Sequence, residues 1–111
     1  MEILDRQIND VTVITLTGSI DALTAPAIAD SITGIISRGE INLVADFHGI
    51  DYTSSAGLRV LLGAVKETRS RGGDLRLAAV QPDVLKVLKL SGFTNILKLY
   101  EDVDSALASF T

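Results

Sequence analysis

Two adjacent serines, Ser54 and Ser55, precede Leu58, Leu61, Leu62 and Val65, apolar residues spaced i, i+3, i+4 and i+7. That spacing predicts one face of an amphipathic helix, so the serines lie at its amino end. Backbone N–H groups there have no intrahelical acceptor, and the aligned peptide dipoles favour negative charge. A phosphate made on either hydroxyl would be stabilised where it formed. The plainer role is a helix cap, because serine is a preferred residue at that position.

Other side chains near this point could also do chemistry. Asp21, Asp46 and Asp51 each stand at or just beyond an apolar strand-like run. In open α/β sheets functional groups collect at the carboxyl ends of parallel strands, where paired carboxylates hold Mg²⁺ or exchange protons. Aspartate is equally a turn residue that bonds neighbouring N–H groups, and this is the expected role of Asp46 and Asp51. Arg59 falls in the first turn of the helix, where a cation opposes the dipole by roughly a few tenths of a kcal/mol. A nearby phosphate or an acidic partner would relieve that conflict, and so would simple solvation. Ala56, Val60 and Gly63, at i, i+4 and i+7, are small enough to admit a partner helix or to pack under a neighbouring loop. Nucleophilic catalysis is poorly supported. A catalytic serine needs a base and an oxyanion hole, yet His48 is the only histidine and no Gly-x-Ser-x-Gly elbow is present. His48 reads as a turn residue. No Gly-x-x-x-x-Gly-Lys-Ser/Thr loop occurs, so there is no nucleotide-cradling P-loop. No cofactor and no metal is expected.

These residues need a scaffold, and the pattern around them supplies one. Ile3 to Ile8 and Val11 to Leu16 read as two strands joined at Asn9-Asp10. A helix follows, with Thr24 as its cap, Pro26 in its first turn, Ile28, Ile32, Ile35 and Ile36 as its buried stripe, and Gly39 at its end. Ile41 to Phe47 is a continuous apolar strand of the kind covered on both faces. The serine loop and its helix come next, ending near Arg71-Gly72-Gly73. Leu75 to Val80 is a strand, and Pro82-Asp83 opens a helix carrying Val84, Leu85, Val87 and Leu88, closed by Gly92. Ile96 to Tyr100 is a last strand. Asp102 caps a final helix in which Val103, Ala106, Leu107 and Phe110 share a face. Alternating strands and helices imply an α/β layer fold with parallel crossovers.

Composition narrows the function. The 111 residues make one domain by size, and 47% hydrophobic content is enough to fold. A net charge of −4 with no basic run argues against nucleic acid as a partner. There is no cysteine, hence no disulfide framework. No apolar run nears the roughly 18 residues needed to span a membrane, and Met1-Glu2-Ile3-Leu4-Asp5-Arg6 lacks the features of a signal peptide. A cytoplasmic protein with no membrane role is expected.

The run Ile50-Asp51-Tyr52-Thr53-Ser54-Ser55-Ala56-Gly57-Leu58-Arg59-Val60-Leu61-Leu62 resembles the signature of single STAS-domain proteins, the bacterial anti-sigma factor antagonists. Gly18-Ser19-Ile20-Asp21-Ala22-Leu23-Thr24-Ala25-Pro26 resembles the family's loop into its first helix. Leu90-Ser91-Gly92-Phe93 with Leu97-Lys98-Leu99-Tyr100 resembles its closing helix, turn and strand. The resemblance covers nearly the whole chain, taken as one STAS domain over 1–111. It implies a mixed, mostly parallel sheet of four to five strands with about four helices, packed mainly on one face. It further implies a non-enzymatic switch that binds a serine kinase acting as an anti-sigma factor, is released by serine phosphorylation, and is restored by a serine phosphatase. The partner surface it implies comprises Asp21, Thr24, Asp51, Thr53, Ala56, Gly57, Arg59, Val60 and Gly63, with Asp21, Arg59 and Gly63 expected to be exposed. One departure matters. The family's loop is Asp-Ser-Ser-Gly with phosphate on the serine before the glycine, and that position is Ala56 here. Ser55, one residue away, is the favoured acceptor and Ser54 the second candidate. The missing hydroxyl also leaves open an unswitched scaffold that recruits a partner or small ligand within a larger regulatory or transport assembly.

Overall fold

A computed structural model describes residues 1–111. The chain begins with a hairpin of β1 (Glu2–Ile8) and β2 (Val11–Ile20). Its turn depends on Asn9, whose φ of 56° lies in the left-handed region that two-residue hairpin turns require. Then follow α1 (Ala25–Ser37), β3 (Asn42–Thr53), α2 (Ser55–Ser70), β4 (Asp74–Ala78), α3 (Pro82–Leu90), a 3₁₀ turn at Phe93–Asn95, β5 (Lys98–Tyr100) and α4 (Val103–Ala108). The strands lie in the order β1-β2-β3-β4-β5 in one sheet. β1 and β2 are antiparallel, and every other pair is parallel. This is the mixed five-stranded, four-helix architecture that the resemblance implies.

The two faces of the sheet are covered unequally. On one, Ile14, Leu16, Leu43, Ala45, Phe47, Leu75 and Leu77 pack beneath Ile28, Ile32 and Ile35 of α1, Leu61 and Val65 of α2, and Val84 and Leu88 of α3. On the other, Val11, Val13, Val44 and Ala78 meet Ala106 of α4, with Val103, Leu107 and Phe110 beside it. Burial on both sides explains why the central strands read as near-continuous apolar runs. No helix is long and apolar enough to cross a membrane.

Four expectations need correction. First, β2 and β3 do not stop at Leu16 and Phe47. They stay paired past the helices, with Thr17 opposite Gly49, Gly18 opposite Ile50, Ser19 opposite Tyr52 and Ile20 opposite Thr53. Two register shifts absorb the irregularity. Gly49 permits the close approach, since a Cβ there would sit 2.9 Å from Thr17 Oγ1 and 3.0 Å from Leu16 O. Gly18 and Gly49 are therefore strand residues, and much of the expected serine loop is strand. Second, the buried face of α2 is Gly57, Leu61, Ala64, Val65 and Thr68, with Leu58 and Leu62 only half-buried. Third, Thr24 stands at the amino end of α1 but makes no side-chain cap bond. Fourth, β4 ends at Ala78, and β5 is Lys98–Tyr100 with Ile96 outside it. The cap on α4 is formed as expected: Asp102 Oδ1 accepts from Ser105 N at 2.7 Å.

Candidate functional site

The extended ends of β2 and β3 bring Ile20 beside Thr53, and Ser54 N donates to Ile20 O at 2.8 Å. That bond fixes where α2 begins. Ser54 is its cap residue, extended at φ −93° and ψ 178°, and its carbonyl accepts from Leu58 N at 3.1 Å. Its side chain, however, makes no cap bond. Ser54 Oγ is buried and has no hydrogen-bond partner at all. Ser55 is the first helical residue and is exposed. Ala56 is half-buried against the core. Gly57 is buried where a Cβ would meet Thr53 Oγ1 and would lie 2.6 Å from Ile20 Cγ2. The absence of a side chain at Gly57 thus lets the helix start lie directly on the two strand ends. No acidic residue occupies the first turn of α2, so its positive dipole end is uncompensated.

The segment after β2 forms the neighbouring wall. Asp21 Oδ1 accepts from Leu23 N at 2.9 Å and Thr24 N at 3.0 Å, closing a tight turn into α1. These donors, Thr24 N–H foremost and Leu23 N–H next, hold the Asp21 carboxyl below the usual carboxylate range. Thr24 Oγ1 accepts from Asp21 N at 2.9 Å and donates to Ser19 O at 2.8 Å. So the threonine braces the turn, and the aspartate satisfies the Leu23 and Thr24 N–H groups that precede the helix. Asp21 itself is half-buried rather than exposed.

The other sequence candidates fall in distinct places. Asp51 is not a turn cap; it is an exposed strand residue that accepts from Ser19 Oγ at 2.6 Å, tying β3 to β2 beside the serines. Asp46 accepts from His48 N at 3.0 Å where the β2–β3 register shifts. His48 is an exposed strand residue, and its carbonyl accepts from Gln81 Nε2 at 2.6 Å. The three aspartates do not gather into a metal-binding group. Thr53 and Gly57 are buried, so they shape the surface from beneath. Arg59 and Gly63 are exposed, and Arg59 forms no ion pair. Together with Val60 they line a groove of about 350 Å³ whose other wall is Ala29, Ile32 and Ile36 of α1.

Two residues that the sequence reading passed over stand out here. Leu23 is 89% exposed in the Asp21 turn, and Tyr52 is 53% exposed on β3, opposite Ser19. In the sequence Leu23 stands between Ala22 and Thr24, and Tyr52 between Asp51 and Thr53, a large side chain beside a polar residue in each case.

Comparison with known proteins agrees with this fold. The family model of the STAS domain matches residues 2–106. BtrV of Bordetella bronchiseptica, a candidate anti-sigma factor antagonist, is 31% identical over 110 residues, spanning 99% of this chain and 95% of BtrV. The crystal structure of an anti-sigma factor antagonist from Mycobacterium paratuberculosis superposes with a TM-score of 0.89 at 26% identity, covering 97% of this chain and 92% of that one. The Bacillus cell fate determinant SpoIIAA in its phosphorylated form superposes at 0.78 with 20% identity, covering 99% and 100%. That last likeness is one of fold.

Proposed function

The chain belongs to the STAS domain family, and from that premise we propose that it is an anti-sigma factor antagonist switched by phosphorylation of Ser55. As a single-domain binding module it holds a serine kinase that doubles as an anti-sigma factor. The contact surface is the Asp21 turn, the ends of β2 and β3, and the amino end of α2. One observation carries the assignment of the acceptor: of the three residues before Gly57, only Ser55 offers an exposed hydroxyl. Ala56 has none, and the Ser54 hydroxyl is buried. In the reaction Ser55 Oγ attacks the γ-phosphorus of ATP, the bond to ADP breaks, and the hydroxyl proton passes to a base of the kinase. The new phosphate sits at a helix start with no acidic residue in its first turn, where free N–H groups and the dipole stabilise it. The fold therefore accommodates the charge. The partner does not: a surface fitted to a neutral hydroxyl must now desolvate a group carrying about −1.5 to −2 charges. A serine phosphatase restores the binding form, and the exchange takes place in the cytoplasm.

Intact mass after incubation with the partner kinase and ATP, followed by phosphopeptide mapping, tests this reading. One added phosphate confined to Ser55 is the expected result, and Ser55→Ala abolishes it. Label on Ser54 alone reverses the assignment. Ala56 supports a second reading, the unswitched scaffold within a larger assembly, which tight binding without any phosphate gain would establish.

A further inference from the structure

We propose that this protein pairs with a second copy of itself through the free edge of β1, joining the two five-stranded sheets into one. β1 ends the sheet, so its outer edge carries unpaired N–H and C=O groups. Natural edges are guarded by charged side chains, proline, bulges, short length or a covering element. β1 has seven residues, no proline, and an unbroken register with β2 from Glu2 to Ile8. The opposite edge, β5, has only three residues. Glu2, Leu4 and Arg6 lie opposite Thr17, Thr15 and Val13 and so share one face, the side on which α4 packs against β3, β4 and β5. All three are exposed, and Leu4, a leucine with 57% of its surface in water, is the middle one.

The charges on this strand are guards only against the wrong partner. A two-fold axis perpendicular to the sheet pairs residues of the same face, so the antiparallel registers are centred on single residues. Centred on Leu4, the pairing sets Leu4 against Leu4 of the second copy and Glu2 against its Arg6, twice over. Centred on Asp5 it opposes two aspartates, and centred on Arg6 two arginines. Centred on Ile3 or Gln7, no two charged side chains of the strand face each other. Opposite charges across strands stabilise and like charges destabilise, so the Leu4-centred register, which alone sets opposite charges of β1 face to face, is favoured. The pairing uses none of the residues around Ser55, and the acceptor stays free.

Sedimentation equilibrium of the full chain from about 10 μM to about 1 mM covers the affinities expected of a small interface. We expect a monomer–dimer equilibrium that weakens with salt, as ion pairs at a surface do. Glu2→Arg alone and Arg6→Glu alone each raise the dimer dissociation constant at least tenfold, about 1.4 kcal/mol. An equimolar mixture of the two variants restores association, because every facing pair is then opposite in charge within a mixed dimer. Circular dichroism of each variant reports that it folds, and recovery in the mixture does so independently. A wild-type monomer throughout the range overturns the proposal. So does a dimer indifferent to both reversals, or a mixture that fails to recover.

Discussion

Ser54 and Ser55 are neighbours with opposite environments, and substitution should separate them. Ser54 Oγ is buried without a partner, a state that costs about 1–3 kcal/mol relative to a satisfied hydroxyl. The usual loss of about 1 kcal/mol for removing a serine cap therefore does not apply, since no cap bond exists to lose. Ser54→Ala should be neutral or stabilising by up to about 1 kcal/mol in urea denaturation, with phosphate incorporation retained. A loss of 1 kcal/mol or more would show that the hydroxyl caps the helix in solution. Asp21 gives a pH-dependent counterpart. Its folded pKa lies below that of the unfolded chain, because Thr24 N–H and Leu23 N–H favour the carboxylate. The stability it contributes is therefore present above the unfolded value and lost as pH falls through the folded one, in the region below about pH 4. Asp21→Ala should flatten the stability profile in that acid window and leave it unchanged in shape near neutrality.

At the scale of elements, the start of α2 depends on the tight seat beneath Gly57. A methyl group there meets Thr53 Oγ1 and Ile20 Cγ2, both on buried residues that cannot swing into solvent. Gly57→Ala should therefore destabilise by about 1–3 kcal/mol, the range for forcing extra volume into a packed site, despite alanine's better helix propensity. Thermal melts of the two proteins measure it, and an unchanged midpoint would mean that α2 can lift off the strand ends. The elements themselves were largely legible, because apolar period and Pro, Gly and Asp punctuation follow from local physics. Pro26, Pro82 and Asp102 mark the helix starts they were expected to mark. The misreadings share one cause. Gly18 and Gly49 look like turn residues locally, yet they are where two strands come too close for a Cβ or must bend. That information lies in the pairing between β2 and β3, not in either segment. The same holds for Leu62: its spacing suits the stripe, but tertiary packing turns Ala64 and Thr68 inward instead. Among site residues, the position of the serines was readable, whereas which hydroxyl faces water was not.

For the whole molecule, the proposed binding surface at the serine end of the sheet must draw its affinity from particular side chains. Polar groups there are spent internally: Asp21 on its own turn, Asp51 on Ser19, Thr24 on Ser19 and Asp21. Such groups give little net affinity, because a partner would have to compete with bonds already made. Leu23 and Tyr52 are different. They flank the same strand ends, keep large apolar area in water, and gain free energy when a partner covers them. Interfaces concentrate their energy in a few such anchors, tyrosine prominent among them. Tyr52→Ala and Leu23→Asp should therefore each weaken binding of the partner kinase by about 2 kcal/mol or more, roughly thirtyfold. Asp51→Ala should cost tenfold less than either. None of the three should move the melting temperature much, since surface changes away from packed features stay within about ±0.5 kcal/mol. Calorimetric titration of each variant with the kinase decides the matter. If Asp51→Ala proves the most damaging, the surface is read through its charge, and the aspartate's bond to Ser19 must open on binding.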